Sequence, residues 1–448
     1  MSLHKKTFKQ FTFQHFSLKL STFKELSTSL VVIASILVAQ VPFADNAMAA
    51  GAKQEQKKKR PTQLVGPSVG KKVQKAFELY AGDEKKGVES DIDGALVVLL
   101  DINAKKDYDK AYVSRFIAVM YATKGSQEQE AIKYLKLAVA PDILNEVDHG
   151  EAVKLLADLQ MQTKDYKGAL TNYYAWMEFT GKDDGNTWVK IAQANYELKQ
   201  LDKMIVPADK AIAAFGDKPN PNPYILKLTS YYERKKYKEA INVLETVILI
   251  FPENKTWWTQ LPMFYLLVEN YPKAVQTLDL AYKQGFLEKE SQLKTLANLY
   301  SSTEAPYKAA KLLEKHIASG DITRDEKNIS ALANAWHAAQ HIGTAAKYYG
   351  ELAKLTNEAK HYRKQGMLLK QDEQFTKAIP ALQKALDLGV KNKGRIYMSI
   401  AESYFYLEKY KKAYAAINKA MKDPKSRKAA KGWKGFIADT ARRKNVSI

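Results

Sequence analysis

The chain has 448 residues, a net charge of +21 and no cysteine. At 46% apolar and 27% charged residues it can bury a large core, which excludes a mostly disordered chain and a polytopic membrane protein. The lack of cysteine excludes disulfides, zinc thiolates, a thiol nucleophile and a lipid-modified cysteine.

Five lysines (Lys5, Lys6, Lys9, Lys19 and Lys24) precede the apolar run Leu30–Val41, and Ala47-Met48-Ala49 follows as a small-x-small cleavage site. This pattern predicts a secretory signal peptide over residues 1–49 and a mature protein beginning near Ala50. The run is shorter than the roughly 20 residues that span a bilayer, and a retained anchor is the alternative. Removing the leader leaves a charge of +18, so the basic excess belongs to the mature chain. Export also argues against nucleic acid as its partner. Residues 50–67, with Lys57-Lys58-Lys59-Arg60 and few apolar groups, read as a flexible basic linker. Peripheral contact with an anionic membrane is a secondary reading of that linker.

From about residue 68 to 424 a repeat dominates. Y-x-x-A steps occur at Tyr166/Ala169, Tyr237/Ala240, Tyr271/Ala274, Tyr307/Ala310 and Tyr410/Ala413, with Phe375/Ala378 as a variant. Aligned on this step, the anchors are Ala95, Ala131, Ala169, Met204, Ala240, Ala274, Ala310, Ala345, Ala378 and Ala413, spaced 33 to 38 residues apart. Before each anchor lies a second pattern, clearest in Trp258-x-x-Leu261-Pro262-x-x-Tyr265 and Tyr397-x-x-Ile400-Ala401-x-x-Tyr404. Spacings of three and four mark one face of a helix, so each unit is two amphipathic helices joined by a turn. A small anchor lets the two backbones approach where they cross.

These motifs resemble the tetratricopeptide (TPR) repeat, whose 34-residue unit has the pattern W-x2-L-G-x2-Y followed by A, F, A and P. The copies are degenerate: Ala157, Ala192, Ala333 and Ala401 stand where the family has glycine. The resemblance implies an all-α, right-handed solenoid of about ten helix pairs forming one continuous body. Residues 425–448, basic and carrying Trp433, Phe436, Ile437 and Ala441 at helical spacing, read as a capping helix over the last repeat.

Catalytic chemistry is not visible. The chain lacks G-x-x-x-x-G-K-[ST], G-x-S-x-G and H-E-x-x-H. His337 and His341 have metal-like spacing but no third ligand, and Asp183-Asp184 and Glu288/Glu290 read as helix-start acids. Neither an enzyme nor a cofactor is expected. The inner face of each first helix is the expected binding groove, with Asn186, Gln193, Tyr196, Thr229, Tyr232, Met263, Arg363, Lys370, Arg395 and Phe405 as candidates. Some TPR proteins clamp a peptide C-terminus with lysine and asparagine. Here Ser330 precedes Asn334 where the lysine belongs, and that clamp is not expected.

The segment Arg60–Tyr80 followed by repeats is similar to periplasmic TPR proteins associated with TonB-ExbB-ExbD energy-transduction systems. That resemblance implies a periplasmic scaffold that binds envelope proteins, as an accessory of such a complex. A scaffold on peptidoglycan or its synthases is the alternative.

Overall fold

The computed structural model describes residues 60, 63–82 and 89–448, so the leader and most of the basic linker lie outside the described residues. It divides into two compact units, one ending at Val243 and one running from Leu244 to Ile448.

In the first unit the helices are α1 (Pro67–Ala81), α2 (Ile92–Leu100), α3 (Asp107–Lys124), α4 (Glu128–Val139), α5 (Glu146–Gln162), α6 (Tyr166–Thr180), α7 (Gly185–Glu197), α8 (Ile205–Phe215) and α9 (Pro221–Glu233). Helix α10 (Tyr237–Ile250) contains the division between units. The second unit continues with α11 (Lys255–Leu267), α12 (Tyr271–Lys283), α13 (Glu290–Ser302), α14 (Pro306–Ser319), α15 (Glu326–Ala338), α16 (Ile342–Thr356), α17 (Ala359–Gln371), α18 (Phe375–Asp387), α19 (Lys393–Tyr406), α20 (Tyr410–Ala420) and α21 (Arg427–Arg443). No strand occurs among the described residues. Among the described residues, nine of the successive pairs pack as hairpins, α10 carries the division between the units, and α21 follows the last pair.

All ten anchors, Ala95 through Ala413, are 0% exposed. A methyl at each crossing lets the second helix lie close on the first, and the larger residues around it fill the flanks. Met204 is the one anchor that is not alanine. It lies in a 3-10 turn (Leu201–Met204) that opens into α8, and so occupies a different local backbone from the other nine.

The turn inside each hairpin has its own signature. Five residues before the anchor, Ser126, Lys164, Lys199, Lys235, Glu269, Gln340, Glu373 and Glu408 all have φ between 56° and 66°; Glu304, six before Ala310, has φ 59°. A left-handed residue ends the first helix and reverses the chain. None of these is glycine, so each carries a Cβ where the backbone favours none. Asparagine and aspartate cap the entering helices: Asn145 accepts from Asp148 N, Asp184 from Thr187 N, and Asp325 from Asn328 N.

Helix α21 covers the last hairpin. Ala430, Ile437 and Ala441 are buried in one cluster with Ile400, Ala401, Ala413 and Ile417, and Trp433 packs at its edge. An exposed apolar array end needs such a lid. At the other terminus Arg60 does not belong to a free linker. Its guanidinium donates to the carbonyls of Asp142 and Leu144 at 2.9 and 3.1 Å, pairs with the Asp142 carboxylate, and lies 4.6 Å from the Phe179 ring centre. Gly66 N donates to Asp109 at 3.0 Å and Val65 packs beside Tyr108 and Leu144, so this segment is docked by specific contacts.

Candidate functional site

Helices α17 and α19 open successive hairpins in the second unit, and each presents one face beside the other. Arg363, Met367, Lys370 and Gln371 share a face of α17, and Met398, Glu402, Phe405 and Tyr406 share a face of α19. The two faces are joined where Lys370 pairs with Glu402 and where Ser399 Oγ donates to Met367 Sδ at 3.3 Å. Between them lies a trough of about 660 Å³ lined by Lys364, Met367, Lys370, Gln371, Phe375, Glu402 and Tyr406, among others. Phe375 and Tyr406 stack with ring centres 5.0 Å apart and 13° between planes. Tyr406 is 56% exposed and Met367 39%, so apolar groups stand open to water in a wall that also carries Lys364, Glu373 and Glu402.

The residues expected from sequence divide into several groups. Arg363 and Arg395 are exposed and make no ion pair among the described residues, as a groove cation should. Asn186 is exposed on the first turn of α7, and Gln193, Tyr196, Tyr232 and Met263 are half-buried. Lys199 lies over the Tyr196 ring, and burial followed by the nearby Glu233 charge pushes the Tyr196 phenol above its usual range. Thr229 is corrected: it is 2% exposed, and its hydroxyl donates to Ile225 O of its own helix. Lys370 is engaged by Glu402 and offers no free charge. Phe405 is half-buried among Tyr410, Trp433 and Phe436, which places it under the terminal helix.

Lys364, Met367, Phe375 and Tyr406 were not among the expected site residues. Phe375 is the aromatic of the F-x-x-A step and Tyr406 is one residue beyond Phe405, so both carried a signal. The stack between them joins residues 31 apart in sequence and needs the fold.

Most other tyrosines serve the scaffold. Tyr173 donates to Asp158, Tyr265 to Glu245, Tyr300 to Asp279 and Tyr348 to Glu314, each pairing a phenol with a carboxylate of a neighbouring helix. The Tyr265 hydrogen bond, with Lys273 adding to it, holds the Glu245 carboxyl below its usual range. Burial would raise Asp279, but the hydrogen bonds from Tyr300 and Lys283 outweigh it and bring that carboxyl down as well. Trp336 is buried, with Tyr307 and His341 edge-on to it. Burial, helped by Lys364, lowers the His337 pKa and favours the neutral ring. No group of three metal-ligating side chains occurs among the described residues.

Charge is unevenly spread. Residues 89–387 hold 39 basic and 39 acidic side chains, so this stretch is neutral. Residues 388–448 hold 16 basic and 4 acidic, and residues 1–88 hold 15 and 6. The whole excess therefore comes from the two ends. Among the described residues, Arg443 and Lys444 are the ones of the sixteen terminal cations that form ion pairs.

No family model matches the chain, and no curated protein matches it. Solved structures of helical-repeat proteins do. YrrB, described as a TPR protein with an unusual peptide-binding site, is 16% identical, covers 43% of this chain and 97% of its own, and has a TM-score of 0.32. The C-terminal part of a TPR repeat-containing protein from Cytophaga hutchinsonii is 15% identical, covers 61% and 96%, and has a TM-score of 0.33. The Naa15/Naa10 structure bound to HypK is 16% identical, covers 80% and 59%, and has a TM-score of 0.41. These overlaps are partial, and the fold is carried by the hairpins and their buried anchors. The architecture is an all-α helical repeat.

Proposed function

We infer that the chain is an exported scaffold that holds an extended, acidic and apolar segment of an envelope protein in the α17–α19 trough. The observation that carries this reading is the exposed Phe375–Tyr406 stack beside Met367, with unpaired Arg363 and Arg395 on the same two helices. The exposed apolar groups supply burial, and free guanidinium groups select carboxylates and speed encounter. The leader-like first 49 residues support a periplasmic location. The Arg60–Tyr80 stretch supports an accessory role in a TonB-ExbB-ExbD complex.

Selection of short random peptides on the full mature chain tests the trough. Wild type should enrich peptides carrying carboxylates beside an aromatic or aliphatic residue, and a Tyr406→Ala, Arg363→Glu variant should bind them at least about tenfold more weakly. Equal binding by both proteins would sink the assignment. Export is tested by sequencing the N-terminus of the protein recovered from the periplasm, where Ala50 is expected. The accessory role is tested by co-purification of TonB, ExbB or ExbD with the tagged chain.

A further inference from the structure

A second cleft, of about 640 Å³, opens at the end of the array between the start of α19, the end of α20 and the connection to α21. Lys393, Lys419, Lys422 and Lys425 line it around Tyr397, and none of the four forms an ion pair among the described residues. Lys419 lies 5.6 Å from the centre of the Tyr397 ring. The one acid in the wall, Asp423, is engaged with backbone: its carboxylate accepts from Gly394 N and Lys425 N, each at 3.0 Å. Four cations thus face a single carboxylate that is already bound by N–H donors.

Behind the cleft wall a buried hydroxyl has no partner among the described residues. Ser426, at the N-cap of α21, is 2% exposed, and its Oγ makes no hydrogen bond. It is turned toward Gly394 in the cleft wall, where an added Cβ would lie 2.5 Å from it. A buried polar oxygen without a partner is costly unless something outside the protein satisfies it. The first turn of α21 also lacks any acidic residue and begins Arg427-Lys428, so its N-terminus adds positive potential to the lysines.

We propose that this cleft binds a phosphate-bearing polyanion, distinct from the segment held in the trough. Four ammonium groups without any arginine suit tetrahedral oxyanions, which accept point charges from several directions, better than planar carboxylates, which favour the guanidinium fork. Phosphate also concentrates more than one negative charge in a small volume, whereas peptide carboxylates carry one each on a spaced chain. The Tyr397 ring gives an apolar wall for the carbon skeleton that bears the phosphates. Lipid headgroups and soluble phosphates share this chemistry.

Calorimetric titration of the full chain with sodium tripolyphosphate at low salt should show one site that weakens as salt rises. A Lys393→Gln, Lys419→Gln, Lys422→Gln variant should bind at least about tenfold more weakly, and a Lys431→Gln, Lys434→Gln, Arg442→Gln control of equal charge within about threefold of wild type. Ser426→Ala should weaken binding about twofold to fivefold. Helix content by circular dichroism should be unchanged in all three. Phosphatidylglycerol vesicles that bind wild type but not the cleft variant would assign the phosphate to lipid; binding of tripolyphosphate without vesicle binding would assign it to a soluble ligand. Equal losses in the cleft and control variants would show diffuse attraction and overturn the site. Hexaglutamate binding as tightly as tripolyphosphate would overturn the phosphate assignment in favour of an acidic peptide, and absence of binding to any probe would overturn the proposal outright.

Discussion

Residues 89–387 and residues 388–448 are made of the same buried alanines and the same left-handed turns, yet they use charge in opposite ways. In the first stretch cations meet anions of the next helices: Lys190 reaches Asp158 at 2.7 Å, Arg324 reaches Glu351 at 2.7 Å, and buried Arg115 lies 3.2 Å from Asp148. In the second, fourteen of sixteen cations have no acidic partner among the described residues. Hairpin stacking evidently does not need an excess of either sign. The terminal surplus is therefore not a requirement of the stacking itself.

Removing a charge should hurt most where it is paired. Arg115→Ala leaves Asp148 buried beside Tyr108 without its cation and should cost about 3–5 kcal/mol by chemical denaturation, whereas Lys422→Ala should cost less than about 0.5 kcal/mol. Similar costs would erase the distinction between the two regions.

Packing, by contrast, should treat both regions alike. Ala274→Leu in the neutral part and Ala413→Leu in the basic part each force a hairpin open, with an expected loss of about 1–3 kcal/mol. A markedly smaller loss at Ala413 would mean that the terminal hairpin is looser than its anchor suggests.

Acid should act through the paired carboxylates of the neutral stretch. The pKa of Glu245 is lowered in the fold by Tyr265 and Lys273, so its contribution is full above the ordinary glutamate pKa of about 4.3 and is lost as pH falls through the lowered folded value. Tyr265→Phe should cost about 1.5 kcal/mol near neutrality and flatten that dependence, read from melts between pH 7 and pH 3. An unchanged acid slope would remove Glu245 from the account.

Glu408 has φ 56° at the end of α19, and Glu408→Gly should stabilise the second unit by about 1 kcal/mol through relief of the Cβ clash. The smallest effect is expected at Lys428. Replacing it with Glu puts an acid at the α21 N-terminus and should add about 0.5 kcal/mol, which would show that the native lysine is retained against the preference of its own helix.

The period and the anchors were legible in the sequence because one buried alanine per hairpin is a repeated, local requirement. The terminal helix was legible for the same reason, expected over residues 425–448 and found over Arg427–Arg443. The turns were not: glycine marks a left-handed residue, and these carry lysine, glutamate, glutamine or serine. The groove was legible only in part, since one residue rotates a helix face by about 100°. Thr229 fell on the core side of that error, while Arg363 and Arg395 fell outside. The Lys370–Glu402 pair and the Phe375–Tyr406 stack join residues about thirty apart, which no local pattern relates.

Arg60 fixes a length. Held by Asp142, Leu144 and the Phe179 ring, it is the point at which the preceding chain becomes attached to the first unit. Residues 50–59, even fully extended, cover at most about 35 Å. Whatever holds residue 50 is thus on a short leash to the turn between α4 and α5. If the leader stays in a bilayer, that turn can stand no farther from its surface than the leash allows.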